Sequence, residues 1–520
     1  MNSSLLNHNP LRALRPYLPV ITTGALLLSL SLFWFNACDS RVYLALALLA
    51  TACGCIIVFF ACSDDLNAST SSTTMFAGVL CLLAVVYAFA FPPLTVPDEA
   101  HHFYSSYWLA DVITGQADER GFEVRTSDWQ LFTELNNNAV DAHDYRKIMN
   151  DFEFLQSDQS TITVDYFRYS LGSENPPAKI ATTIAILLGK LLNLGTYPLF
   201  YLGRLFNAAS FIICAIASYR IIPFGKKVIV ALSLLPMTLH LAASYSYDVG
   251  IISLGMLFTS LTLKAIKESG PISRSLALSI IAVGTLLAPC KVIYSTLLLL
   301  VLFIPSNRFD SHRNSLLFKG GVFILPLLMV FALQITSISN IASTSQALDV
   351  RGGETGHFYE LSYAFQQPLA TMAIFFRSLI VQGDFYWSTM LGRSLGWFQA
   401  NIAVPFFYCI PLLFGIAYAA QRDKTDDNVL SRPLQLIMVL IPMASLAACM
   451  LSMFIGHTFN TEAVIQGVQG RYILPVVAPL FLAFRSKHVR IEQDSFPTVI
   501  TVFSLTNIVI LMHIIASAIM

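Results

Sequence analysis

The sequence predicts an all-α polytopic membrane protein, and three observations carry that expectation. Hydrophobic residues make up 55% of the chain and charged residues 12%, roughly half the charge of a soluble domain. Mean hydropathy is +0.65. Apolar runs close to the ~20 residues that cross a bilayer recur along the whole length. Lysine plus arginine equals aspartate plus glutamate at 31 each, so the net charge gives no argument for nucleic acid. The partner that composition names is the lipid bilayer.

In chain order the candidate spans begin with Tyr17–Phe35, Val42–Ala61 and Met75–Phe91. A central group follows: Leu199–Ile221, Val228–Ser244, Val249–Leu263, Leu276–Pro289, Val292–Ile304 and Gly320–Ile335. The last four are Ile402–Ala420, Leu434–Ile455, Tyr472–Phe484 and Val499–Ala518, which brings the total to about thirteen. The first run is too long for the h-region of a signal peptide, and no Ala-x-Ala site follows it. The nine cysteines lie mostly inside apolar runs and read as small buried hydrophobes; Cys53-x-Cys55 is too close for a zinc knuckle.

Lys and Arg placement orients these spans. Arg12 and Arg15, Arg220–Lys227, Lys264–Arg274, Arg308–Lys319, Arg422–Lys424 and Arg485–Arg490 all fall on the cytoplasmic side of a consistent zigzag. The condition is that Pro176–Leu194, with Lys179 and Lys190, and Pro368–Val381, with Arg377, stay at the outer face as interfacial or re-entrant helices. The chain then divides into N-terminal transmembrane helices (1–92), a large outer-face loop (93–197) and a transmembrane bundle (198–336). A second outer-face loop (337–400) and C-terminal transmembrane helices with a Gly-Val-Gln-Gly-Arg-Tyr loop (401–520) complete it. The loops carry aromatics such as Trp129, Phe132, Phe152, Phe154, Tyr166 and Phe167, which predicts that they fold over the bundle.

Polar chemistry concentrates on that outer face. Pro97-Asp98-Glu99-Ala-His101-His102-Phe103 follows directly on an apolar span, where charge is costly without a use. Pro97 suits a first helical turn, so Asp98 and Glu99 are expected near the start of a helix running to about Val112. They read either as an acidic pair favoured by the helix dipole or as a base that accepts a proton from a hydroxyl. His102 lies one turn after Asp98 and can orient or tune it. These four groups can also hold a divalent cation (Mg2+ or Mn2+), although no DxD or HExxH spacing is present. Arg204 and Lys291 read as interfacial anchors or as phosphate contacts. Asp248, after Ser244-Tyr-Ser-Tyr247, is a helix start, a partner for Arg204 or Lys291, or a second acid/base group. Gly467-Val-Gln-Gly-Arg-Tyr472 is either a turn with an Arg/Tyr anchor or a phosphate- or sugar-binding loop built on Gln469, Arg471 and Tyr472.

In combination, Pro97-Asp98-Glu99-x-x-His102-Phe103, Ser244-Tyr-Ser-Tyr-Asp248, Gly396-Trp397 and Gln469-Gly-Arg-Tyr472 resemble the DUF2142 family of bacterial integral membrane proteins. The resemblance spans residues from about 75 to 485. That family is similar in layout to GT-C glycosyltransferases, and a Pro176-Pro177 stretch before the Arg204 span fits the same pattern. One departure is that Asp98 follows the third span rather than the first.

The resemblance implies an inverting transfer from a polyprenyl-phosphate sugar to a cell-envelope glycan acceptor, at the outer face of the bacterial inner membrane. Asp98 or Glu99 would serve as base, and Arg471, Lys291 and Arg204 would neutralise the departing phosphate. Trp397 and Tyr472 would stack on sugar rings. Two rival readings are a transporter of lipid-linked saccharides, which needs a polar path through spans that read as apolar, and a non-catalytic assembly partner.

Overall fold

The computed structural model describes residues 20–29, 41–62, 72–117, 122–135, 139–150, 155–157, 160–164, 169–343, 349–351, 354–399, 402–423, 430–486, 488–491 and 494–519. Arg12, Arg15, Phe152, Phe154, Tyr166, Phe167, Lys424 and both ends of the Tyr17–Phe35 run lie outside the described residues.

Helices dominate, and among the described residues six are long and apolar enough to cross a membrane: Ser72–Ala90, Thr196–Ile221, Asp248–Lys267, His312–Leu333, Arg432–Gly456 and Phe496–Ala518. Of the other expected spans, Val42–Ala61 lies within the 22-residue helix Arg41–Cys62, and the rest, where described, are shorter apolar helices. Their sequences leave little alternative. They are apolar on most faces, and their few hydroxyls bond back into the helix, as Thr259 Oγ1 does to the Gly255 carbonyl at 2.8 Å and Ser260 Oγ to Met256 at 2.9 Å.

Proline and the residues before it explain where the expected spans break. Val228–Ser244 is not one span but two short helices, Lys226–Ser233 and Pro236–Ala242, because Pro236 has no N–H and pushes Leu235 into extended backbone. The carbonyl freed at Leu234 accepts from the Asn507 amide at 2.7 Å, and the Asn507 oxygen accepts from the Tyr87 hydroxyl at 2.7 Å. One buried asparagine therefore ties the break to two long helices. Leu276–Pro289 and Val292–Ile304, expected as separate spans, are the helix Arg274–Cys290 and the 3-10 stretch Val292–Phe303, which meet at Lys291. Pro176–Leu194 forms a 3-10 turn, Pro176–Ala178, followed by the 12-residue helix Ile180–Leu191. Pro368–Val381 is the first part of a 24-residue helix, Pro368–Leu391.

Long helices run between two chemically distinct ends. At one end the basic connections meet: Lys227 pairs with Asp423 at 3.0 Å, Arg422 Nε donates to the Ser486 carbonyl at 3.2 Å, and Lys267 and Arg485 both lie over the Phe224 ring. At the other end lie Asp98, Arg204, Asp248, Lys291 and Arg471. The helix Thr196–Ile221 carries Arg204 toward one end and Arg220 at the other, and Asp248–Lys267 carries Asp248 at its start and Lys264 and Lys267 in its last turn.

A second, smaller core caps the bundle. Phe103, Tyr104 and Tyr107 from the helix Glu99–Thr114 pack with Phe122, Val124, Leu131, Phe200 and Tyr245, and Trp129 and Phe132 rest against them. A two-stranded antiparallel pair, Phe122–Arg125 with Thr161–Val164, closes it. Asp128 anchors this layer, accepting from Arg125 Nε at 2.8 Å and from Thr196 Oγ1 at 2.7 Å.

Candidate functional site

Six buried residues after the helix Ser72–Ala90, from Pro92 to Pro97, turn the chain sharply into the helix Glu99–Thr114. Arg204 holds that turn. Its Nε and one Nη2 hydrogen grip Glu99 at 2.9 and 2.7 Å, and its remaining hydrogens go to the carbonyls of Ala88 (2.8 Å), Phe91 (2.7 Å) and Pro92 (2.9 Å). The guanidinium thereby caps the C-terminal end of one helix while its carboxylate partner opens the next. Both side chains are fully buried. Glu99 Oε1 also accepts from the Tyr245 amide at 3.2 Å, which joins the Ser-Tyr-Ser-Tyr block to the same knot.

Two expectations are corrected here. All five N–H groups of Arg204 are committed, so it presents none to a phosphate. Glu99, with no exposed surface and both oxygens paired to Arg204, is not available as a base.

Asp98, one residue earlier, has the opposite character. Its side chain is 49% exposed, and Arg471 Nη2 donates to it at 2.9 Å. Its backbone is left-handed (φ 61°), uncommon for a residue other than glycine but tolerated best by Asp and Asn. Four of the five described non-glycine residues with positive φ, namely Leu94, Asp98, Asn175 and Phe398, belong to segments that build this region. Such conformations cost of order 1–3 kcal/mol each and gather at functional sites.

Arg471 reaches Asp98 from 373 residues further along the chain. Its loop is set by Gly470, whose N–H donates to Thr389 Oγ1 at 3.1 Å and which sits so close to the Tyr386 carbonyl that no Cβ fits. Arg471 is nearly buried and also faces Asp248, Nε to Oδ2 at 3.4 Å, so one guanidinium stands between two carboxylates. Asp248 is thus a partner of Arg471 rather than of Arg204 or Lys291. The Lys291 ammonium lies 4.0 Å from the centre of the Tyr472 ring and 5.8 Å from that of Tyr247, with no carboxylate in contact among the described residues.

A cavity of about 360 Å³ opens beside Asp98, lined by Asp98, His101, His102, Ser173, Glu174, Asn175, Lys179 and Tyr247. His102 packs edge-on to Tyr247, ring centres 4.8 Å apart, and its Nδ1 is buried without a hydrogen-bond partner among the described residues. Burial, reinforced by the charges of Lys179, His101, Arg471 and Lys291, holds this imidazole well below its ordinary pKa, so it is neutral at physiological pH. No hydrogen bond joins its ring to Asp98, so the expected tuning contact is replaced by a shared cavity wall.

Lys179 stands out in the sequence only as a lysine within Pro176–Leu194, and Glu174 does not stand out at all. The Lys179 ammonium, almost wholly buried, donates to Glu174 Oε2 at 2.7 Å and to Ser105 Oγ at 2.5 Å. Burial pulls Lys179 down despite Glu174 opposing it. Glu174 is raised by burial, but the His101 hydrogen bond and the Lys179 charge outweigh that and hold it far below the usual range. Trp397, Gln469 and Tyr472 do not line the cavity. Gly396, before Trp397, donates its N–H to His240 Nε2 at 3.0 Å and packs on the Thr95 carbonyl, so this block braces the Pro92–Pro97 turn from outside.

Arg204 occupies both Glu99 oxygens, so Glu99 is not free to join Asp98, His101 and His102 around a cation. Among the described residues the group whose ligand atoms converge, within 4.8 Å, is Asp141, His143 and Asp144.

A helical bundle with several membrane-crossing helices and an ionisable, water-reachable site at one end defines a multi-pass membrane protein. The family model described as "Predicted membrane protein (DUF2142)" matches residues 81–480, and the chain belongs to that family. No curated protein and no solved structure matches the chain.

Proposed function

We propose that the protein is a membrane glycosyltransferase that moves a sugar from a polyprenyl-phosphate donor to a cell-envelope glycan, with Asp98 as base. The observation that carries this reading is the contrast within one acidic pair. Glu99 is locked away by Arg204, while Asp98 is half-exposed at a cavity, held in a strained backbone by a distant arginine. A carboxylate kept accessible at such a position suits proton transfer from a bound hydroxyl.

In the proposed step the acceptor O–H bond breaks with its proton passing to Asp98. The acceptor oxygen bonds to the anomeric carbon from the face opposite the phosphate, and the carbon–oxygen bond to phosphate breaks with its electron pair leaving on the phosphate oxygen. Lys291, which has no carboxylate in contact among the described residues, and Arg471 supply positive charge where that oxygen develops negative charge. The site faces the cell exterior in this account, because the basic connections gather at the opposite end of the bundle.

The test is direct. Purified protein in lipid nanodiscs is offered radiolabelled polyprenyl-phosphate hexoses together with lipid-linked envelope glycans. Label appearing in glycan supports the reading, and its absence across the donors contradicts it.

A further inference from the structure

The cavity beside Asp98 has a chemistry of its own. Its carboxylates are already engaged: Asp98 by Arg471, which stands behind it outside the lining, and Glu174 by Lys179, with His101 Nε2 also 3.2 Å from Glu174. An anion entering it would meet two carboxylates, and a cation would meet the Lys179 ammonium and carboxylates already paired. Besides the polar side chains of Ser173 and Asn175, the lining offers a ligand His102, whose Nδ1 is buried with no partner among the described residues, and the ring of Tyr247 beside it. A buried polar atom without a partner costs about 1–3 kcal/mol unless a ligand or water supplies one. Paired charges that keep their hydrogen-bonding capacity, next to an aromatic face, match a ring that is neutral overall, hydroxylated at its edge and apolar on its C–H face.

From this we infer that the cavity is a binding subsite for a neutral sugar ring, the acceptor's, seated between Asp98 and the Lys179–Glu174 pair with one hydroxyl on His102. The inference rests on the reading of Asp98 as base, and it adds which substrate occupies this side. Tyr247 lies close to both lysines, the Nζ atoms of Lys179 and Lys291 each 5.8 Å from its ring centre, and of the two only Lys179 lines the cavity. The cavity with Lys179 takes the sugar, and Lys291, outside it, takes the phosphate. An acceptor bearing a uronate or phosphate at this ring is rejected by Glu174.

The experiment is saturation-transfer NMR on the full chain in nanodiscs of phosphatidylethanolamine and phosphatidylglycerol, free of glycoside detergent. The probes are the methyl α- and β-hexopyranosides of glucose, galactose and mannose, with inorganic phosphate as competitor. At least one hexoside should bind wild type, phosphate should not displace it, and His102→Phe should weaken it about tenfold. Lys179→Met combined with Glu174→Gln, which leaves no lone buried charge, should weaken it at least as much. Absence of hexoside binding, displacement by phosphate, or unchanged binding in the double variant with a wild-type unfolding profile overturns the inference. Hexoside binding without any transfer activity would reject the base and keep the subsite; transfer without hexoside binding would reject the subsite alone.

Discussion

Glu99 and Arg204 form a fully buried, two-pronged ion pair in which every N–H of the arginine is used, three of them on main-chain carbonyls at a helix end. This pair fixes the turn that presents Asp98, so its role is architectural. Removing one partner of a buried pair leaves the other charge without compensation, at a cost of about 3–5 kcal/mol. Glu99→Gln and Arg204→Met are both expected to lower the unfolding temperature strongly and reduce folded yield, as measured by thermal unfolding in detergent.

Asp98→Asn should behave in the opposite way. The side chain is half-exposed, and Arg471 still faces Asp248 when Asp98 is neutralised. Unfolding should therefore change little while turnover falls about 10²–10⁴-fold, the range for losing a general base. Parallel unfolding and transfer assays on one preparation check both halves.

Arg471 serves two carboxylates, and this predicts a coupling. Arg471→Met strands Asp248, which is 5% exposed, and should cost about 3–5 kcal/mol. Adding Asp248→Asn should recover part of that loss, because the stranded charge is gone. A double-mutant cycle on unfolding free energies measures the coupling, and strict additivity would contradict it.

His102 gives a pH dependence with a defined sign. Its folded pKa lies well below the ordinary 6.5, so below that pH the unfolded chain binds the proton more readily than the folded one. The stability it contributes is complete above pH 6.5 and is lost as pH falls through the acid range below it. Unfolding temperatures at about pH 7.5 and about pH 5.5 should differ less in His102→Phe than in wild type.

Sequence made part of this site legible and hid the rest for physical reasons. Charged residues at the edge of apolar spans stand out because bilayer burial is costly, and the blocks around Asp98, Asp248 and Arg471 do converge. The division of labour between Asp98 and Glu99 was invisible, since neighbouring residues at a helix start diverge in direction and only tertiary packing decides which enters the core. Lys179 was visible as a lysine in an apolar stretch, but Glu174 lies in ordinary loop composition, Ser-Glu-Asn-Pro-Pro, and nothing local marks it as that lysine's partner. Helix ends were hidden where prolines interrupt apolar runs. Pro236 follows two leucines that score as membrane-spanning while ending a helix.

The central claim is that Asp98 carries the chemistry and Glu99 the architecture. The most direct measurement is transfer of labelled sugar from polyprenyl-phosphate donors by wild type and Asp98→Asn, each confirmed folded by its unfolding curve. The account predicts turnover in wild type and its near-complete loss in a normally folded Asp98→Asn. Wild-type turnover that persists undiminished in Asp98→Asn would contradict it.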